Sequence, residues 1–105
     1  MQDLALRLFE PHVGSTFQII LNGQPALELK LVEVNDLTVR NDPLRDPSLR
    51  AQPFELLFHG PLIPIAQQSN YDMSHPRLGQ LTIFLVPLGP DKPTRQSMQY
   101  QAVFN

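Results

Sequence analysis

The sequence predicts an all-β fold: a single small antiparallel barrel, or a strongly bent sheet, of about six strands with a short N-terminal arm or helical turn. Three observations carry that expectation. Apolar residues recur at period two in several short segments, the spacing at which side chains of a strand share one face. Eleven prolines stand against five glycines, and each proline removes a backbone donor and fixes φ, which breaks long helices and leaves short strands with rigid connections. Segment 81–86 is apolar on both faces, with Leu81, Ile83 and Leu85 on one and Thr82, Phe84 and Val86 on the other. Neither face of such a strand can sit in water without cost, so it belongs inside a sheet or barrel and organises the rest. A chain of 105 residues makes one domain, 1–105, with one modest core.

Taken in order, residues 4–9 are ambiguous, because Leu4 and Leu8 share a helical face while Leu4, Leu6 and Leu8 share a strand face. Pro11 limits either, which predicts an arm or one helical turn ending near Gly14, anchored by Phe9 and Val13. The first strand, 16–21, turns Phe17, Ile19 and Leu21 inward and ends at the turn pair Asn22-Gly23. The next carries Leu27, Leu29 and Leu31 inward, with Glu28 and Lys30 outward. A two-residue loop here would set Phe17 opposite Glu28. A three-residue loop, 21–23, with Gly23 left-handed and bulged, is therefore expected, with Phe17 opposite Leu27. Beyond Leu31 the apolar phase slips by one, to Val32 and Val34, as a bulge produces. That bulge bends the strand, 26–39, enough to serve both sides of a small closed sheet.

Residues 40–53 hold two Asp-Pro turn starts and three arginines with no usable period, and are read as a long solvated loop. Segment 54–59 alternates with Phe54, Leu56 and Phe58 inward and stops at Gly60-Pro61. Residues 62–70, interrupted by Pro64, form an extended connection across the sheet or one barrel end, where Gln67 and Gln68 are available to backbone groups. A strand over 70–75 sets Tyr71 and Met73 on one face until Pro76, and a turn at 77–79 leads into the organising strand. Pro87, Pro90 and Pro93 then enforce a loop. The last strand, 97–104, carries Met98, Tyr100, Ala102 and Phe104 on one face and closes the sheet. Gly14, Gly23, Gly60 and Gly79 mark the structural turns.

Little in this pattern suits catalysis. His12, His59 and His75 come from separate segments, and each neighbours a proline or glycine, where histidines usually bond backbone; no metal is expected. Asp72, Ser74 and His75 supply the parts of a nucleophilic triad, but along a strand His75 points away from the other two, and no glycine elbow presents the serine. Glu28, Glu33 and Glu55 fall on outward positions, and Gly14-Ser15-Thr16 lacks the lysine of a phosphate loop. No catalytic residue, cofactor or enzyme activity is therefore expected.

The partner classes narrow in the same way. A net charge of −2 with dispersed arginines argues against nucleic acid. The absence of cysteine fits a reducing compartment, and the apolar runs 4–9 and 81–88 are too short for a secretory core or a membrane helix. A soluble, non-membrane protein is the expectation. The favoured reading is a non-catalytic structural or protein-interaction module that binds another protein or a second copy of itself. Segments 70–74 and 97–104 contain no proline and little charge, so they are the expected open strand edges. Leu62, Ile63 and Ile65 would add apolar contact beside Tyr71, Met73 and Tyr100. The alternative is a barrel that binds a small apolar ligand inside or at one end.

Five segments together resemble a known family. They are Phe9-Glu10-Pro11-His12-Val13-Gly14 with Phe17, Phe54-Glu55-Leu56-Leu57-Phe58-His59-Gly60-Pro61, Tyr71-Asp72-Met73-Ser74-His75-Pro76-Arg77-Leu78-Gly79, Phe84-Leu85-Val86-Pro87-Leu88-Gly89-Pro90 and Tyr100-Gln101-Ala102-Val103-Phe104-Asn105. The chain resembles a family of small, functionally uncharacterised bacterial domains, sometimes encoded near tail-collar or other phage-tail-like proteins. The resemblance implies a bacterial or phage source and a compact β fold, located in the cytoplasm or within a virion or phage-tail-like particle. It assigns no catalytic residue.

Overall fold

In the computed structural model, which describes residues 4–38, 53–92 and 94–104, six strands close into an antiparallel barrel in the order β1-β2-β3-β6-β5-β4. They are β1 (Thr16–Leu21), β2 (Gln24–Asp36), β3 (Phe54–Gly60), β4 (Ser69–His75), β5 (Gly79–Pro90) and β6 (Met98–Phe104). A four-residue helix, α1 (Leu6–Phe9), and a 3₁₀ turn (Glu10–His12) precede them. None of the described helices is long and apolar enough to cross a membrane.

Two long strands make the closure. β2 pairs with β1 through its first half and with β3 through its second, and the register shifts between Leu31 and Glu33, at the phase slip seen in the sequence. β5 does the same, pairing with β4 over Gly79 to Leu85 and with β6 from Val86 onward, with a shift between Pro87 and Gly89. A bulge adds a residue to one strand and bends it, so Val32 and Leu88 sit where the sheet turns its corners. The loop expected at Pro87 and Pro90 is thus strand instead: Pro87 lies opposite Tyr100 and Pro90 opposite Met98. Prolines are tolerated in a sheet beside a bulge, where the ladder is already interrupted. Pro93 lies outside the described residues.

The β1–β2 hairpin corrects another expectation. Leu21 pairs with Gln24, so the loop is the two residues Asn22 and Gly23, with φ of 53° and 76°. Those left-handed values define the tight turn that suits a twisted hairpin. Parity is restored by a register shift between Ile19 and Ile20 on β1, which leaves Ala26 as the extra residue on β2. Phe17 therefore lies opposite Leu29, neither Leu27 nor Glu28.

The interior is filled by Phe17, Ile19, Leu29, Leu31, Phe54, Leu56, Phe58, Met73, Ile83, Leu85, Tyr100 and Ala102, each essentially without solvent exposure. Closure corrects two further readings. The outer side of the organising strand does face water, since Thr82 and Phe84 are exposed. The edges expected along 70–74 and 97–104 are largely taken up by closure: β4 pairs with β5 along its length and with β1 over Asp72, Met73 and Ser74, and β6 pairs with β3 along its length and with β5 from Met98 to Gln101. The loop expected over 40–53 lies outside the described residues except for Pro53, which is buried and accepts a bond from the Leu37 N–H.

Candidate functional site

The strand directions give the barrel two distinct ends. At one, β1 begins, β2 and β6 finish, and the β4–β5 turn lies close to the N-terminal segment; at the other stand the β1–β2 turn and the 61–68 connection from β3 to β4.

The N-terminal end is plugged. α1 places Leu6 and Phe9 three apart, on one helical face, and both are buried. The Phe9 ring meets Phe17 at 6.4 Å, Phe54 at 5.9 Å and Phe104 at 6.1 Å. Val13, expected as a second anchor, is half exposed instead, because the chain leaves the helical path at that residue and the apolar face belongs to Leu6.

Beside the plug lies the cluster His12, Ser15 and His75. Two of the three sequence histidines meet here, with ring centroids 4.7 Å apart, whereas His59 sits across from Lys30 on the outer wall. His75 is buried against Phe17 at 4.5 Å. Its Nδ1 accepts the backbone N–H of Arg77 (3.1 Å) and of Leu78 (3.2 Å). Ser15 Oγ donates to the His12 carbonyl at 2.6 Å and lies 2.9 Å from His75 Nε2. With the hydroxyl proton committed to the carbonyl, Nε2 must carry the ring proton and donate to Ser15. Burial, then the neighbouring His12 and Arg77, hold the His75 imidazole below its ordinary range, so it is neutral.

This is a serine–histidine pair facing the wrong way for chemistry. A general base must take the hydroxyl proton through an unprotonated nitrogen and be steadied by an acceptor on the other nitrogen. Here Nε2 gives its proton, and Nδ1 faces two N–H donors. The Asp72, Ser74, His75 set does not assemble: Asp72 accepts from Thr82 Oγ1 on the outer wall at 3.0 Å, while His75 is turned inward. On the outer face of β2, β3 and β6, Glu55 accepts from Asn35 (3.0 Å) and Gln101 (2.6 Å), and the same Asn35 amide reaches Glu33 at 3.3 Å. These bonds satisfy a solvated wall. Among the described residues, no group of three or more His, Asp or Glu is placed to hold a metal ion.

The opposite end is strapped. The 61–68 connection crosses the barrel mouth from β3 to β4, held by the Ala66 N–H donating to Tyr100 Oη at 2.9 Å and by Tyr71 Oη donating to the Gln67 carbonyl at 2.6 Å. The backbone groups that Gln67 and Gln68 were expected to satisfy are met here by the tyrosine hydroxyls instead. Ile63 stands in solvent at 85% exposure, with Leu62 and Ile65 partly exposed on either side of it. Under the strap opens a cleft of about 430 Å³ lined by Ile19, Leu21, Leu27, Ile65, Ala66 and Tyr71, among other residues. Among the described residues, none that lines it is charged.

Four of the residues expected to face a partner gather here: Leu62, Ile63, Ile65 and the half-buried Tyr71. Met73 and Tyr100 do not, since both are buried inside the barrel and offer no surface. Leu21, half exposed on the cleft wall, was missed by the alternation reading, which turned it inward; its position at the hairpin turn, beyond the barrel rim, was the available signal. Among the glycines, Gly14, Gly23 and Gly79 have φ of 95°, 76° and 76°, which favour glycine. Gly60 is a buried strand residue opposite Met98 instead of a turn; a Cβ there would stand 2.5 Å from Leu29 Cδ2, so the buried Leu29 side chain would have to shift.

No curated protein and no solved structure matches the chain. A family model does match, over residues 4–104, from the helical plug to the end of β6, and the chain belongs to that family, described as a domain of unknown function (DUF6916).

Proposed function

We propose that the domain is a non-catalytic protein-interaction module whose contact surface is the strap and the cleft beneath it. The observation that carries this is the outward set of Leu62, Ile63 and Ile65 beside an uncharged cleft, at a barrel end whose backbone is tied down by Tyr100 and Tyr71. Apolar side chains grouped this way on an anchored loop suit association, since their burial against a partner gains free energy while little backbone freedom is lost. With the barrel closed and most of both strand edges paired, the strap takes over the role that edge addition would have served.

The simplest occupant is a second copy of the chain. The Ile63 knob stands next to the cleft rim formed by Pro64 and Ile65, so a two-fold axis at the rim seats each knob in the other copy's cleft. The non-catalytic part of the reading is supported by the orientation of the Ser15–His75 pair. The motif resemblance supports a bacterial source and a place as an accessory component of a phage-tail-like assembly, where self-association of small modules is of use.

Size-exclusion chromatography with light scattering across a concentration series tests the proposal. The wild type is expected to shift from monomer to dimer, and Ile63→Lys to remain monomeric. A wild type that is monomeric throughout, and binds no product of a neighbouring gene, removes it. The cleft volume also favours a second reading, a small apolar ligand, because about 430 Å³ of apolar space lies within the range of small-molecule sites. Native mass spectrometry separates the two: a monomer carrying a bound small molecule supports the ligand, a protein dimer the module.

A further inference from the structure

Beside the strap, closure leaves a short piece of strand edge unused. β4 pairs with β5 from Ser69 to His75 but with β1 over Asp72, Met73 and Ser74 alone, so Ser69, Asn70 and Tyr71 have a ladder partner on one side and none on the other. The cause lies in β1. Continued by two residues, the same register would set Leu21 opposite Tyr71 and Asn22 opposite Asn70, yet Asn22 already turns, with φ of 53°, into the hairpin that leads to β2. The Ala26 bulge adds twist to that hairpin where it parts from β4. Ser69 and Asn70 are exposed.

A cleft opens on each face of the sheet at this parting. Toward the barrel mouth is the apolar strap cleft, where Ile19 and Leu21 of β1 face Tyr71 of β4 and Ile65 of the strap. On the outer wall a second cleft, of about 440 Å³, runs between Ile20 and Asn22 on one bank and Asp72 and Thr82 on the other. Ile19, Leu21 and Tyr71 thus line the first, and Ile20, Asn22 and Asp72 the second, as the alternation of strand side chains requires. An extended chain laid along the edge at 69–71 sends its own alternate side chains into the same two clefts. Among the described residues, Asp72 is the one charged group lining either of them.

We propose that Ser69, Asn70 and Tyr71 are a strand-addition site for an extended segment of another protein, with the side-chain pattern apolar, cationic, apolar. The apolar residues, opposite Ser69 and Tyr71, enter the strap cleft, and the cation between them, opposite Asn70, lies on the outer wall toward Asp72. Pairing with the backbone of β4 holds the segment whatever its sequence, and the two clefts read its side chains. The edge is already ordered by β5 and by the bond from Tyr71 Oη to the Gln67 carbonyl, so binding costs the domain little freedom. This site rests on the strap cleft being a contact surface, and it names a different occupant from a second copy. Because both enter the same cleft, segment and dimer exclude each other.

The probe is a capped pentapeptide, Thr-Val-Lys-Val-Thr, titrated into the nitrogen-15-labelled full chain and into Ile63→Lys. The amide signals of Ser69, Asn70 and Tyr71 are expected to shift in both proteins, and any wild-type dimer to dissociate as the peptide binds. Two forms of the peptide, N-methylated at alternate residues, separate backbone pairing from side-chain burial. Methylation in one phase is expected to abolish binding and in the other to spare it, since alternate amides of a strand point to opposite sides. Asp72→Asn, which keeps an acceptor for Thr82, is expected to weaken the lysine peptide by about 2- to 5-fold, the size of an exposed ion pair, and to leave Thr-Val-Thr-Val-Thr unaffected. Binding that survives methylation in both phases is side-chain capture alone and overturns strand addition, as do shifts confined to β2, β3 or β6. A wild type that dimerises through Ile63 but binds no peptide removes this site and leaves the strap surface standing. A wild type that binds the peptide and never dimerises keeps the site and removes the second copy as occupant.

Discussion

The two ends of the barrel are both closed by segments that are not strands, and both segments are apolar, yet only one buries what it carries. Residues 6–12 form helical turns, which place Leu6 and Phe9 on one side and Arg7 and Glu10 on the other. The strap holds Leu62, Ile63 and Ile65 around Pro64 in an extended path that has no single inward face, so they stay out. The same hydrophobic material therefore supports stability at one end and is available for association at the other. Backbone geometry makes the difference.

The sharpest way to break this comparison is to truncate one residue at each end. Phe9→Ala opens a cavity between Phe17, Phe54 and Phe104 and is expected to cost about 3–5 kcal/mol in chemical unfolding, while Ile63→Ala should stay within about 0.5 kcal/mol of wild type. Comparable losses at both sites would contradict the assignment.

Next in size are two glycines that are required for different reasons. Gly60→Ala forces a methyl against the buried Leu29 and Tyr100 and should cost about 1–3 kcal/mol by overpacking. Gly79→Val meets no neighbour but must hold φ at 76°, which is expected to cost about 1–2 kcal/mol from backbone strain alone. Gly79→Asn, which tolerates a left-handed φ, should recover most of that loss in a thermal melt, whereas no substitution adding a Cβ recovers Gly60.

A smaller effect concerns pH. Because the folded His75 binds its proton less readily than the unfolded chain does, its contribution to stability is complete above an ordinary imidazole value of about 6.5. It is lost progressively as pH falls toward the lowered folded value. Melting temperatures of wild type should therefore decline through that acidic window, and the His75→Asn curve should be flatter there.

The strands were legible in the sequence because alternation is local: Phe54, Leu56 and Phe58, or Leu81, Ile83 and Leu85, declare their face without help from any partner. The bend at Val32 was legible for the same reason, as a phase slip within one strand. The Ala26 bulge was not, since Leu27 and Leu29 keep their phase and only pairing with Ile19 and Ile20 reveals it. Closure was the harder problem. Whether 70–74 had an exposed edge depended on β1 reaching Asp72, Met73 and Ser74, a contact between segments about fifty residues apart. Burial of Tyr100 and Met73 followed from that closure. The Ser15–His75 bond is of the same long-range kind and left no mark in either segment alone.

The division of labour between the two ends is tested most directly by hydrogen exchange of the full chain at low and high concentration, at neutral pH. Association is expected to add protection at Ile63, Ile65 and Leu21 and to leave residues 6–12 unchanged. Protection gained at the plug or along the outer strand faces, with none at the strap, would contradict the account.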